Sequence, residues 1–135
     1  LFEAQNLRPA DCLGVEYDAD KVRVARRVAA FAELDNVRFL AADVDTLSPR
    51  SAGGSHDVVF CLAIEAHVKN PKRLYKLLGR LTGKALYFEG NASSDTEQIR
   101  RHLESAGFAK VEDLGCCDDD CVPQNNRRPL LRAWK

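Results

Sequence analysis

Glu16 closes an apolar run, Leu13-Gly14-Val15-Glu16-Tyr17-Asp18, and a long helical pattern follows it. An acid at the carboxyl end of a buried strand is the group with which open α/β sheets grip the ribose hydroxyls of a nucleotide. A second acid, Asp43, ends the next strand pattern at Ala41-Ala42-Asp43-Val44. Glu65 and His67 follow a third apolar run, Asp57 to Leu62, and a histidine there is suited to general-base work because its pKa lies near neutrality. Arg127 and Arg128 stand together after a polar loop, and two guanidinium groups can clamp a carboxylate or phosphate. Each residue also has a plain structural reading. Glu16 and Asp43 can serve as caps or turn formers, Tyr17 can cover a sheet edge, His67 can pack near Asn70-Pro71, and the arginines can form an exposed turn.

The five cysteines offer less. Cys12 and Cys61 fall inside strand patterns and read as small buried hydrophobes. Cys116-Cys117-Asp118-Asp119-Asp120-Cys121 has no second cysteine pair elsewhere to complete a zinc site, so no metal is assigned. The sequence leaves open whether Cys116, Cys117 and Cys121 share a bridge, although a reducing, cytoplasmic setting fits an odd cysteine count best.

The elements that must position these groups alternate. Leu1 to Leu7 reads as the last two turns of a helix, stopped by Arg8-Pro9, and Cys12 to Glu16 as a short buried strand. From Asp20 to Leu34 apolar residues recur at Val22, Ala25, Ala29 and Ala32, with Val24, Val28 and Phe31 widening the stripe. Val37 to Ala41 is the next strand. Ser48 to Ser55 is a surface loop. Asp57 to Leu62 is a near-continuous apolar run, which predicts a central parallel strand covered on both faces. A helix opens at Pro71 and stops at Gly83; Ala85 to Glu89 is a strand. Ser94-Asp95-Thr96-Glu97 has capping-box spacing before a helix that Gly107 closes. Phe108 to Leu114 and Pro129 to Trp134 are the last strands, and the lack of a helix between them predicts an antiparallel return. The expected fold is a single α/β domain over residues 1–135, a doubly wound, mostly parallel sheet with an antiparallel last strand.

Twenty basic and twenty acidic residues balance, so no global field recruits nucleic acid or a membrane surface. Lys69, Arg73, Lys76 and Arg80 share one helical face without interleaved aromatics, the pattern of a solvated surface rather than an RNA site. No apolar run reaches membrane-spanning length.

This ordered set resembles the class I S-adenosylmethionine-dependent methyltransferases over nearly the whole chain. The resemblance rests on Gly14-Val15-Glu16-Tyr17-Asp18, Ala41-Ala42-Asp43-Val44, the stretch His56 to Val68, and Leu103-Glu104-Ser105-Ala106-Gly107-Phe108. It implies S-adenosylmethionine as cofactor and methyl transfer to a small-molecule acceptor. It further implies that Glu16 takes the ribose hydroxyls, Tyr17 lies against adenine, and Asp43 and Val44 line the adenine side. Cys61 and Leu62 would border the cofactor, with Glu65, His67, Arg127 and Arg128 on the acceptor side.

The family's first strand and glycine-rich loop have no counterpart here. An acid like Glu16 stands about twenty residues after such a loop, yet this chain has no glycine before Gly14. The sequence therefore reads as beginning near the end of the first helix, with a central strand missing and cofactor affinity reduced or lost. That strand would bury about five apolar side chains at roughly 1.5–3 kcal/mol each, so a longer parent protein or self-association is expected to cover the gap. Two rival functions stay open: a nicotinamide-dependent oxidoreductase, which uses the same strand-end acid, and a non-catalytic interaction module that keeps only the scaffold.

Overall fold

The computed structural model describes residues 1–118 and 121–135; Asp119 and Asp120, in the middle of the acidic cysteine loop, lie outside them. The chain divides into two compact units, residues 1–47 and 48–135. The first opens on a 3-10 helix, Glu3–Leu7, which stops where Arg8 turns left-handed at φ 50°. Strands β1 (Cys12–Glu16) and β2 (Val37–Ala41) pair in parallel, with Cys12 beside Val37 and Glu16 beside Ala41. Parallel neighbours need a crossover, which α1 (Ala19–Phe31) supplies. Asp18 caps it, accepting from the amides of Asp20 and Lys21.

The apolar face of α1 is narrower than the sequence predicts. Val22 and Ala29 are buried, whereas Val24, Val28 and Phe31 are 56%, 43% and 92% exposed. At about 100° per residue these three project roughly opposite Val22 and Ala29, so they cannot widen the same stripe. The helix also ends at Phe31, not Leu34, and Glu33 adopts φ 53° beyond it.

The second unit is built on a four-stranded sheet of β3 (His56–Leu62), β4 (Thr82–Glu89), β5 (Lys110–Cys117) and β6 (Arg128–Trp134), in the spatial order β3-β4-β6-β5. β3 and β4 are parallel, joined through α2 (Pro71–Leu81). β6 is antiparallel to both β4 and β5, so β5 runs in the same direction as β3 and β4. This is the expected α/β sheet with an antiparallel last strand, and the carboxyl ends of β3, β4 and β5 share one edge.

β3 departs from expectation. It is an edge strand, paired only with β4 among the described residues, and it is covered on one face. Cys61 and Val59 join the core, while Val58, Phe60 and Leu62 are 45%, 53% and 52% exposed. Alternate side chains of a strand point to opposite faces, and α2 and α3 (Thr96–Ser105) pack against only one face of this sheet. β1 is likewise paired on one side only among the described residues.

Pro71 opens α2 as predicted, and Asn70 caps it by accepting from the Arg73 amide at 3.1 Å. The strand after α2 starts at Thr82, earlier than the predicted Ala85, and the Thr82 hydroxyl donates to the Leu78 carbonyl at 2.8 Å. Asp95, not Ser94, caps α3. Gly107 ends that helix with φ 90°, which favours glycine. Among the described residues no helix is long and apolar enough to cross a membrane.

Candidate functional site

In the first unit, Glu16 and Asp43 leave the same end of two neighbouring strands. Glu16 lies beside Ala41, one strand spacing or about 4.8 Å away, and its carbonyl accepts from the Ala42 amide at 3.0 Å. Asp43 follows two residues after Ala41. Each acid spends one oxygen on its own turn. Glu16 Oε1 accepts from the Asp18 amide at 2.9 Å, and Asp43 Oδ1 accepts from the Asp45 amide at 2.8 Å. The Asp43 carbonyl accepts from the amides of Thr46 and Leu47, which closes the loop beneath it. Both carboxylates are half-buried, as is Val44, and Tyr17 is 77% exposed beside them. The structure thus brings Glu16, Tyr17, Asp43 and Val44 to one edge.

A pocket of about 230 Å³ lies between β1 and α1, lined by Val15, Glu16, Lys21, Val22, Ala25 and Phe39 with Gly14. It touches Glu16 but neither Asp43 nor Tyr17. Its wall is shared by β1, α1 and Phe39 of β2, and apart from Glu16 and Lys21 it is apolar, so it is not by itself a nucleotide site. Phe39 packs on the bare Cα of Gly14, where a Cβ would come within 2.8 Å of the ring.

In the second unit the other predicted residues gather at the carboxyl ends of β3 and β4. Leu62 is half-exposed, but Cys61 is buried with its thiol in the core. Burial pushes that thiol up from the usual 9.0 to about 12, reinforced by the charge of nearby Glu65. Ala63, the next residue after β3, has φ 52°, a left-handed conformation that costs a residue with a Cβ about 1 kcal/mol or more. Glu65–His67 then forms a single 3-10 turn that leaves His67 exposed. Arg128, at the start of β6, reaches Glu89 at 3.5 Å in a largely buried pair. Arg127 is exposed, with φ 63°, and its amide donates to Asp118 Oδ1 at 2.8 Å.

Glu65 is more heavily engaged than the sequence suggests. Its Oε1 accepts from the Tyr75 hydroxyl at 2.5 Å and its Oε2 from the Ser94 hydroxyl at 3.3 Å. Tyr75 is itself buried, stacked on Phe88 and against the His102 ring. Burial, then the bond to Glu65, raises its hydroxyl pKa, so it stays a donor at all working pH values. Asn91 adds a third tie: its Nδ2 donates to the Ala63 carbonyl at 3.2 Å and its Oδ1 accepts from the Ala66 amide at 3.0 Å. Sequence reading missed Tyr75, Asn91 and Ser94. Tyr75 is hidden in an apolar helical stripe; Asn91, two residues beyond a strand end, was the available signal.

Cys116 and Cys121 are exposed and Cys117 half-buried, and no disulfide joins them among the described residues; Asp119 and Asp120 between them lie outside those residues. Among the described residues no group of three or more histidine, cysteine or acidic side chains is arranged to hold a metal ion.

A family described as a methyltransferase domain matches residues 1–127 of the chain. Among solved structures the chain is similar to EvdMO1, with 25% identity and a TM-score of 0.72 over 92% of this chain and 31% of that one. The N-terminal domain of EvdMO1 with SAH bound gives 21% identity and a TM-score of 0.75, covering 92% of this chain and 64% of that one. Magnesium protoporphyrin IX methyltransferase from Synechocystis PCC 6803 with bound SAM gives 18% and 0.73, covering 96% and 61%. The chain spans about a third of EvdMO1 and under two thirds of the other two. No curated protein sequence matches it.

Proposed function

The chain belongs to the methyltransferase domain family, and we propose that it takes part in methyl transfer from S-adenosylmethionine to a small-molecule acceptor. The observation that carries this reading is the pair of acids at the ends of β1 and β2, each with one oxygen bound in its own turn and the other left for a ligand. A carboxylate held in this way is preorganised, because its own turn fixes where the remaining oxygen lies. On this reading Glu16 Oε2 accepts from the ribose hydroxyls, Asp43 Oδ2 accepts from the adenine amino group, and Tyr17 covers the base with its exposed ring. Val44 gives an apolar contact beside Asp43. Two of the similar structures were solved with SAH or SAM bound, and one is named for a porphyrin acceptor, which agrees with this ligand class.

S-adenosylmethionine supplies a methyl group already activated on a sulfonium, so alignment of the acceptor can provide most of the rate. The second unit's residues then have modest tasks. Leu62 and the backbone after Cys61 offer an apolar wall. His67, exposed on its turn, takes a proton where the acceptor nucleophile carries one. Arg127 and Arg128 attract an anionic acceptor, with Glu89 holding Arg128 in place.

Titration calorimetry of the chain with S-adenosylhomocysteine and, separately, NAD tests the reading. Saturable but weak binding of S-adenosylhomocysteine alone is expected. Glu16→Ala should weaken it roughly tenfold or more, the scale of a lost hydrogen bond to a charged group. Preferential binding of NAD, or no heat with either ligand, overturns it.

A further inference from the structure

We infer that Asn91 is a positioning residue that, together with Tyr75 and Ser94, clamps the loop after β3 and so sets where His67 stands. The inference rests on the reading above and extends it to residues with no assigned role. The geometry is unusually complete. The loop begins with a break from strand geometry at Ala63, whose amide still continues the β3–β4 ladder to the Glu89 carbonyl at 2.8 Å while its φ has turned to 52°. A residue with a Cβ does not hold that conformation unaided.

Asn91 engages both sides of this bend, one hydrogen bond on the Ala63 carbonyl and one on the Ala66 amide. A side-chain amide meets both demands, since it carries a donor and an acceptor on one flat group. Asn91 is itself fixed by a reciprocal turn: its amide donates to Ser94 Oγ and its carbonyl accepts from the Ser94 amide, each at 2.9 Å. The Ser94 hydroxyl donates in turn to Glu65 Oε2, and the Tyr75 hydroxyl donates to Oε1. The two loops are therefore bound at the Ala63 carbonyl, the Ala66 amide and the Glu65 carboxylate.

Two consequences follow for the chemistry. Glu65, with both oxygens committed, acts through the loop and not on substrate. The residue the clamp displays is His67 at the turn's end, whose amide donates to the carbonyl of Ile64, itself packed against the core, at 2.9 Å. Asn91 thus acts by setting where this group stands.

The test uses Asn91→Ala, the double variant Asn91→Ala with Ala63→Gly, and Tyr75→Phe, all in the full chain. Amide exchange by NMR and S-adenosylhomocysteine affinity by calorimetry are the readouts. In Asn91→Ala the Ala66 amide should exchange roughly tenfold faster, the scale of one lost hydrogen bond, while the Leu86 amide in β4 stays within about twofold. Affinity should fall alongside. Ala63→Gly should restore part of both, because glycine takes a positive φ without strain. Tyr75→Phe, which keeps the ring in the core, should move the same readouts less, and it serves if Asn91→Ala does not fold. Unchanged Ala66 exchange in a folded Asn91→Ala overturns the clamp. Faster exchange with unchanged affinity overturns its link to the site. A wild-type chain that binds no S-adenosylhomocysteine overturns the functional reading on which the clamp's purpose rests, and Ala66 exchange then decides the clamp itself.

Discussion

Gly79 in α2 lies against the backbone of Ala106, the residue that caps the end of α3, and replacing it tests how the second unit is held. In most helix interiors Gly→Ala stabilises by about 1 kcal/mol, because glycine has the greater backbone freedom to lose. Here a Cβ at position 79 would lie 2.3 Å from the Ala106 carbonyl oxygen and 3.3 Å from its carbonyl carbon, against 3.4 Å for ordinary contact. The obstacle is backbone, so side-chain rotation cannot relieve it. The helices must separate by roughly 1 Å, and overpacking of this kind costs about 1–3 kcal/mol. The steric term wins, and Gly79→Ala should be destabilised by about 1 kcal/mol net. In urea denaturation the midpoint should drop by roughly 0.5 M, with unchanged slope. Tyr75 on α2 lies against His102 on α3 with ring centroids 4.8 Å apart, so the same displacement should loosen the Tyr75 bond to Glu65. A midpoint that rises, as helix propensity alone would dictate, refutes the close contact and with it the argument that helix spacing sets the Glu65 ties.

Stability at alkaline pH should expose Cys61. Burial favours its protonated thiol, so the contribution is complete below pH 9.0 and is lost as pH rises toward about 12. The amount at stake is on the order of 4 kcal/mol, at about 1.4 kcal/mol per pH unit. Wild type should therefore lose more stability than Cys61→Ala between pH 9 and pH 11, measured by urea unfolding; parallel curves would contradict the burial. The identity of the α3 cap is separable too. Asp95→Ala should cost about 1 kcal/mol in thermal or urea unfolding, and Asp95→Asn should recover most of it. Equal stability of all three proteins would mean that Asp95 does not hold the amides of Glu97 and Gln98.

Much of this architecture is legible in the sequence where one local rule decides it. Cys12–Glu16 and Val37–Ala41 are short apolar runs between turn signals, and they form strands with those bounds. Pro71 and Gly107 mark helix ends because their backbone preferences leave few alternatives. Local rules fail where the outcome depends on a distant neighbour. Asp57 to Leu62 is apolar enough for a strand covered on both faces, yet coverage is decided by what packs against it, and only the face with Val59 and Cys61 is covered. Val24, Val28 and Phe31 are apolar enough to widen the stripe of Val22, but their angular position on the helix sets them apart. Ser94 and Asp95 are both able caps, and the choice went to Asp95 because Ser94 is drawn to Asn91 and Glu65. The acids at Glu16 and Asp43 were visible as strand ends. The clamp was not, because Asn91 bonds a loop 25 to 28 residues earlier in the chain.

Amide chemical-shift mapping during a titration with S-adenosylhomocysteine tests the central claim most directly. Two neighbouring strand-end acids serving one adenosine predict that residues 16–18 and 43–45 shift together, saturating with a single dissociation constant. Glu16→Ala should weaken the response at both segments. Shifts confined to one segment, or separate constants for the two, would contradict it.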